Sequence, residues 1–381
     1  MTDEIGILSI YVTFNPHYRV EAPAKPPWEL RLRQQLGQLS DRLRDQGPRE
    51  HWKALTARLD ALQPDLTELL DPTASGQGRA LFAGVASGEV RTVALQVPLG
   101  DQVVLEPDPH LRPLLAAWST AGPAGVVSVS ADELRILDLR FGFTEPVGVI
   151  PYPGSIEQRE LKGPAPTGGQ FFQRSAPQHD LYERREDDKL ARHLRSVGPR
   201  LAGLVSEWEW SYLVLTGEAP LVQAVREGLP AQLPAELLTL DHQVGSLPPA
   251  KIAATVAPAL DEARHRRHRQ LAIEVRDKAM SGNAGACGLS QTLTALQEGR
   301  VAHLLLDAER RWAGRRTDDG VFVPDGEVPP GVEVAALRPE PHLDERMIEL
   351  AFREGARVTM LAPAAAAPLA DVDGIGATLR W

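Results

Sequence analysis

The chain has 381 residues, 43% hydrophobic and 24% charged, a composition that describes globular protein with apolar content for more than one core. Its 51 acidic and 41 basic residues give a formal charge of −10, which excludes nucleic-acid binding by a general basic surface and leaves only local patches. A single cysteine, Cys287, excludes an intramolecular disulfide and a thiolate-rich metal site.

Residues 1–5 lack a basic stretch followed by an apolar run, and no uncharged stretch reaches membrane-spanning length. A cytoplasmic protein with no membrane contact is expected. Residues 7–13 alternate in β-formers and predict a first strand. Leu32, Leu36, Leu39 and Leu43 predict one helix, and Trp52, Leu55, Leu59, Leu62, Leu66 and Leu69 a second, with Gly47 and Pro48 at the turn between them. Residues 80–85, 90–97 and 103–105 predict a short antiparallel meander and residues 110–119 a helix, which closes an α/β domain over residues 1–122.

A second domain is expected over residues 123–283. It opens with strands at 126–129, 134–139 and 146–150. A helix from Asp180 follows, capped through Glu183, with Leu190, Leu194, Val197, Leu201 and Leu204 as its buried stripe and a break at Gly198-Pro199. Strands at 212–216 and 237–240 around a helix at 221–227 predict a parallel or mixed sheet, and residues 249–280 a long helix. Residues 281–286 read as a linker to a third α/β domain, 284–381, with helices at 289–298 and 344–354 and strands at 301–306, 357–361 and 377–381. The proline-rich segment 318–342 reads as loop.

Between the third strand of the second domain and its long helix lies the stretch 161–179. Pro164, Pro166 and Pro177 keep its limbs extended, because proline fixes φ and pushes the preceding residue out of the α region. Gly168 and Gly169 permit positive φ and bring the backbone within close range of another molecule, and Gln170 ends the tip in an uncharged amide. The stretch contains Lys162 and Arg174 and no acidic residue, so its local sign is positive in an acidic chain. Such a projection suits a phosphate-lined cavity. It also suits an ordinary surface loop, and the tripeptide alone does not decide between them.

Other candidates carry two readings each. Arg184, Arg185, Lys189, Arg192 and Arg195, interleaved with acidic residues, form either a solvated helix face or a phosphate-facing ridge. The run from Arg264 to Arg269 is a solvent face or an RNA contact. His265 and His268 lack a third ligand of fitting spacing, so no metal site is expected. Asp132, Glu133 and Asp138 fall on or beside one strand, where alternation sends neighbours to opposite faces and away from the converging carboxylates that a metal-dependent nuclease reading would need.

A Gly-Gly-Gln loop between strands and a long helix, in the middle of three α/β units, resembles the archaeo-eukaryotic class-one peptide release factor and Pelota superfamily and its bacterial relatives. Residues 288–299 followed by 301–306 look like the opening of that family's third domain, and residues 348–358 and 374–380 like its close. The resemblance implies an α/β (α+β) chain with an RNase-H-like central domain and a C-terminal domain like the ribosomal proteins that bind kinked RNA. It implies that Gly168, Gly169 and Gln170 are catalytic, Gln170 offering a backbone N–H to the developing oxyanion and helping to place water, with no general base and no cofactor from the protein. Lys162, Arg174, Arg184, Arg185 and Arg192 would contact RNA. The partners implied are the ribosome, ribosomal RNA and peptidyl-tRNA, together with a translational GTPase at the C-terminal domain.

Where the family's stop-codon readers carry Asn-Ile-Lys-Ser, residues 44–50 of this chain read Arg-Asp-Gln-Gly-Pro-Arg-Glu. Ser290 and Gln291 stand where the kinked-RNA binders carry Asn-Glu, and Phe171 and Phe172 follow the tripeptide where a small residue is common. The aromatics would either stack on bases or anchor the loop. The function expected is therefore codon-independent hydrolysis of peptidyl-tRNA within the ribosome. The alternative is non-catalytic occupation of an idle or stalled ribosome.

Overall fold

A computed structural model describes residues 1, 3–15, 26–152, 176–242, 244 and 247–381. The chain forms two compact units, one of residues 1–121 with 263–381 and one of residues 122–262. Among the described residues the first unit holds three sheets. Strand β1 (Ile7–Thr13) is paired antiparallel with both β2 (Gly78–Gly84) and β4 (Gln102–Glu106), and β3 (Val90–Leu95) lies outside β2. The expected meander is thus corrected, because β4 pairs with β1 and not with β3. The cause lies in the burial of β1. Leu8, Ile10 and Val12 face the core under α1 (Pro27–Gln46), α2 (Arg49–Ala61) and α3 (Gln63–Leu70), while Ser9 and Tyr11 on the other face are also buried. A strand buried on both faces takes the central place in a sheet. The second predicted helix is divided at Leu62, where Pro64 sits in the first turn of α3.

Helix α4 (Arg112–Ala121) leads out of this part. Leu111, Leu115 and Ala116 pack against the apolar core formed by residues 286–377, and Ser119 Oγ accepts a hydrogen bond from the N–H of Met360 at 2.9 Å. The corresponding sheet has the order β10 (Gly285–Cys287), β16 (Ile375–Leu379), β11 (Val301–Asp307), β15 (Arg357–Leu361). Helices α9 (Leu289–Gln297) and α10 (Leu343–Arg353) supply Leu293, Leu296, Met347, Ile348 and Ala351 to its core. The segment read as loop contains two short strands, β13 (Phe322–Pro324) and β14 (Arg338–Glu340), flanking β12 (Gly314–Arg316) in a third sheet. Three-residue strands carry too few alternations to be visible in a sequence.

The second unit is a five-stranded mixed sheet of order β7 (Phe143–Pro151), β6 (Glu133–Arg140), β5 (Ala124–Val129), β8 (Tyr212–Gly217), β9 (Glu236–Leu240). β5, β6 and β7 run antiparallel in succession, and β8 and β9 run parallel to β5. All residues of β5 and β8 are buried, as expected of strands at the centre of a covered sheet. Helices α5 (Ala176–Ser196), α6 (Gly198–Glu207) and α7 (Ala219–Gly228) pack on it through Leu194, Val197, Leu201, Val205 and Val225. The break expected at Gly198-Pro199 is present, with Val197 between α5 and α6. A methyl group at Gly198 would overlap the carbonyl of Gly228, so these two glycines allow α6 and the end of α7 to touch backbone to backbone. Helix α8 (Pro249–Met280) follows.

Candidate functional site

The Gly-Gly-Gln stretch is bracketed by two elements of the second unit. Gly168, Gly169 and Gln170, like Lys162 and Arg174, lie outside the described residues. On the near side β7 is an edge strand, which tolerates Pro146 and Pro151 because an edge need not donate every N–H. Its last rungs pair Leu134 with Ile150 and Glu133 with Pro151. Ile150 is buried in the core, and the N–H of Tyr152 donates to the Asp132 carbonyl at 2.8 Å. On the far side α5 begins at Ala176. Its start corrects the expected cap, because Asp180 lies inside the helix, while Pro177 occupies a first-turn position where no N–H is required. The Tyr152 ring meets the His193 ring of α5 at 5.4 Å between centroids, so the strand end and the helix are in contact at the base of the stretch.

The exposed face of α5 is only partly available to an anion. Lys189 Nζ is 2.6 Å from Glu186, and Arg195 Nε is 2.8 Å from Glu227 Oε2. Arg185 and Arg192 are exposed, Arg192 donating from Nε to the Asp188 carbonyl at 3.2 Å. Arg184 lies on the same helix. The three expected RNA contacts on this helix therefore share one element, and the two neighbouring cations are paired with carboxylates.

The nuclease reading meets a different geometry. Asp138 is 1% exposed, and its carboxylate is bound by Arg140 at 2.5 and 3.0 Å and by Trp210 Nε1 at 2.5 Å. Arg140 also donates to the Trp208 carbonyl at 3.0 Å and lies over the Trp208 ring. Trp210 packs against Gly125, where any side chain would collide with the indole. Asp138 is thus a structural anion joining β6 to the start of β8. Ser130 and Glu133 close the β5–β6 turn on each other through their main chains at 3.1 Å. Among the described residues no group of three His, Cys, Asp or Glu side chains is placed to hold a metal ion. His268 is pushed down to about 4 by burial and by the charges of His265, Arg267 and Arg264, an environment that disfavours a further cation.

Sequence reading missed a second cluster, in the first unit, where Glu106, His110 and Arg112 meet Asp344, Glu345 and Arg346. In sequence these positions look like a polar link and a charged first helical turn. Nothing in their spacing indicates that they face each other. Among the described residues no helix is long and apolar enough to cross a membrane.

With the sheet, the bracketed stretch and the basic helix in place, comparison with known families finds a likeness to bacterial archaeo-eukaryotic release factors over part of the chain. The family model that matches is bacterial archaeo-eukaryotic release factor family 10, over residues 109–277, slightly under half of the chain. That region includes the whole second unit and the Gly168–Gln170 tripeptide. No curated protein matches by sequence. Among solved structures, the archaeal translation termination factor aRF1 is 17% identical, over 100% of this chain and 94% of that one, at a TM-score of 0.24. Dom34 of S. cerevisiae, a translation termination-like factor involved in RNA quality control, is 8% identical over 80% of each chain, at 0.40. Archaeal Pelota, from a model of it bound to the ribosome with ABCE1, is 14% identical over 80% of this chain and 77% of that one, also at 0.40. At these scores the three are likenesses only.

Proposed function

We propose that the protein is a ribosome-associated rescue factor that promotes codon-independent hydrolysis of peptidyl-tRNA in the peptidyl-transferase centre. The observation that carries this reading is the release-factor family match across the region that contains Gly168, Gly169 and Gln170. In the proposed mechanism the two glycines give the backbone freedom to enter the centre, and the Gln170 N–H stabilises the oxyanion as water attacks the ester. Lys162, Arg174, Arg184, Arg185 and Arg192 hold ribosomal RNA phosphates around the loop. No protein cofactor takes part.

The strand order β7-β6-β5-β8-β9, with only β6 running against the others, supports an RNase-H-like reading of the central domain. The division into domains at 1–122, 123–283 and 284–381, a cytoplasmic location and a GTPase partner at the last domain belong to the same proposal. Codon independence rests on residues 44–50, which lack the stop-codon readers' Asn-Ile-Lys-Ser.

The test is release of labelled peptide from ribosomes holding peptidyl-tRNA with stop, sense and empty A sites. Wild type should release on all three, and Gln170→Ala and Gly169→Ala should lose release while still binding. Gln170→Ala keeps the backbone N–H and removes the side-chain amide that helps to place water, whereas Gly169→Ala restricts the backbone that aims the N–H. Loss of an oxyanion donor is worth about 100-fold or more in rate. Binding without release in every state would replace this reading with that of a factor that occupies ribosomes.

A further inference from the structure

The unit formed by residues 1–121 and 263–381 contains a buried charged joint that the loop's role leaves unused. Arg346 of α10 stands between two carboxylates, its Nη2 2.8 Å from Glu106 Oε2 and its Nη1 2.9 Å from Glu349 Oε2. Glu345 Oε1 lies 3.3 Å from His110 Nδ1. The Glu345 oxygens also accept the N–H groups of Leu111 and Arg112 at 3.0 and 3.1 Å, satisfying donors at the start of α4 from another element. Arg112 binds Asp344 at 2.7 Å and donates to the carbonyls of Asp307, Ala308 and Arg310. At the rim His342 Nε2 is 3.8 Å from Glu106 and Arg311 Nε 3.8 Å from Asp344.

Four carboxylates (Glu106, Asp344, Glu345, Glu349) thus face two buried guanidiniums (Arg112, Arg346). Glu106 Oε1, His110 Nδ1, Asp344 Oδ1, Arg346 Nε and Glu349 Oε1 are buried without a hydrogen-bond partner. A buried ionic contact of this kind adds little net adhesion, yet it is strongly weakened when its charge balance changes. The later turns of α4 are held differently, by Leu115 and Ala116 in the apolar core and by the Ser119 bond to Met360.

We propose that the corner of residues 106–112 is a proton-operated latch, seated on α10 while Glu349 carries a proton and released when Glu349 ionises, with the later turns of α4 staying in place. Burial pushes Glu349 up to about 8; Arg346 opposes the shift, and Asp108, Glu106 and Glu345 add to it. Glu345 is shifted upward as well, by burial and then by the charges of Glu106 and Asp344, while His110 and the Leu111 bond oppose the shift. A carboxyl raised in the closed state favours closure at low pH, and that advantage is lost as pH rises from about 4.5 through about 8. Glu106 has the opposite sense. Burial raises it, but His110, Arg346 and His342 together hold it below its ordinary value, so it loosens the joint only in acid. The latch is therefore read between pH 6 and 8.5.

Hydrogen exchange on the full chain tests it, at the Leu111 and Arg112 amides, whose N–H groups end on Glu345. With intrinsic rates divided out, their protection should fall by about tenfold or more between pH 6 and 8.5, while amides in the β1–β2 ladder keep theirs. Glu349→Gln, which is neutral at both values, should reduce the fall by severalfold, leaving only what Glu345 contributes. Unchanged protection in wild type, a fall shared by the β1–β2 ladder, or a fall undiminished in Glu349→Gln would each overturn the latch. Should the variant not fold, the two wild-type comparisons still decide the matter.

Discussion

Replacing Asp138 with alanine should destabilise residues 122–262 by about 3 kcal/mol. The indole N–H of Trp210, a residue only 2% exposed, loses its acceptor and stays buried, which costs roughly 1–3 kcal/mol. The Arg140 side chain is 34% exposed, so water screens it and the lost ion pair adds no more than about 1 kcal/mol. Asp138→Asn should cost less, because an amide oxygen can still accept from Trp210, although its NH2 then faces the guanidinium. The assay is urea unfolding followed by hydrogen exchange in β5 and β8, where a loss near 3 kcal/mol moves the midpoint by about 1–3 M for typical slopes. A loss below about 0.5 kcal/mol would refute the structural role. A gain on substitution would point instead to a carboxylate kept for binding a cation, since such sites gain stability when neutralised without metal.

Gly228→Ala should also destabilise the second unit, by about 1–3 kcal/mol or more, because the new methyl meets the Arg195 carbonyl and α5 must shift; thermal unfolding reads it. The same variant should reduce peptide release if the loop depends on a fixed α5, and the release assay measures that separately. His303 is pushed down to about 4 by burial and then by Arg357, His268 and Arg267. Its folded value lies below the ordinary 6.5, so stability of the first unit is present above that value and lost as pH falls towards 4. The loss should reach up to about 3 kcal/mol, and His303→Gln, which keeps a partner for Thr359, should flatten the profile in urea titrations at pH 4.5 and 7.

Most elements of this fold are legible as period alone. The strand at Ile7–Thr13, the α8 span Pro249–Met280 and the break at Gly198-Pro199 follow from alternation, length and a helix-breaking pair. Pairing is less legible. That β4 joins β1 depends on Ser9 and Tyr11, whose polar groups meet the main chain of His110 a hundred residues away. The start of α5 is not legible, because Asp180 and Glu183 satisfy a capping pattern whereas the helix begins at a proline-compatible turn four residues earlier. At the candidate site, Gly168 to Gln170 are visible as an unusual tripeptide in a basic stretch. The role of Asp138 is not, since only the fold brings Trp210 and Arg140 to it.

The two-part composition of the first unit has a consequence for synthesis. Its second sheet is completed by β16, which lies between β10 and β11 and follows both of them in the chain. The complete sequence of the other unit, residues 122–262, emerges well before that strand does. A chain growing from its amino end can therefore fold its middle first, while α4 waits with Leu111, Leu115 and Ala116 uncovered for a core not yet translated. During that interval the apolar face of α4 stays open to solvent, a surface that the finished fold covers.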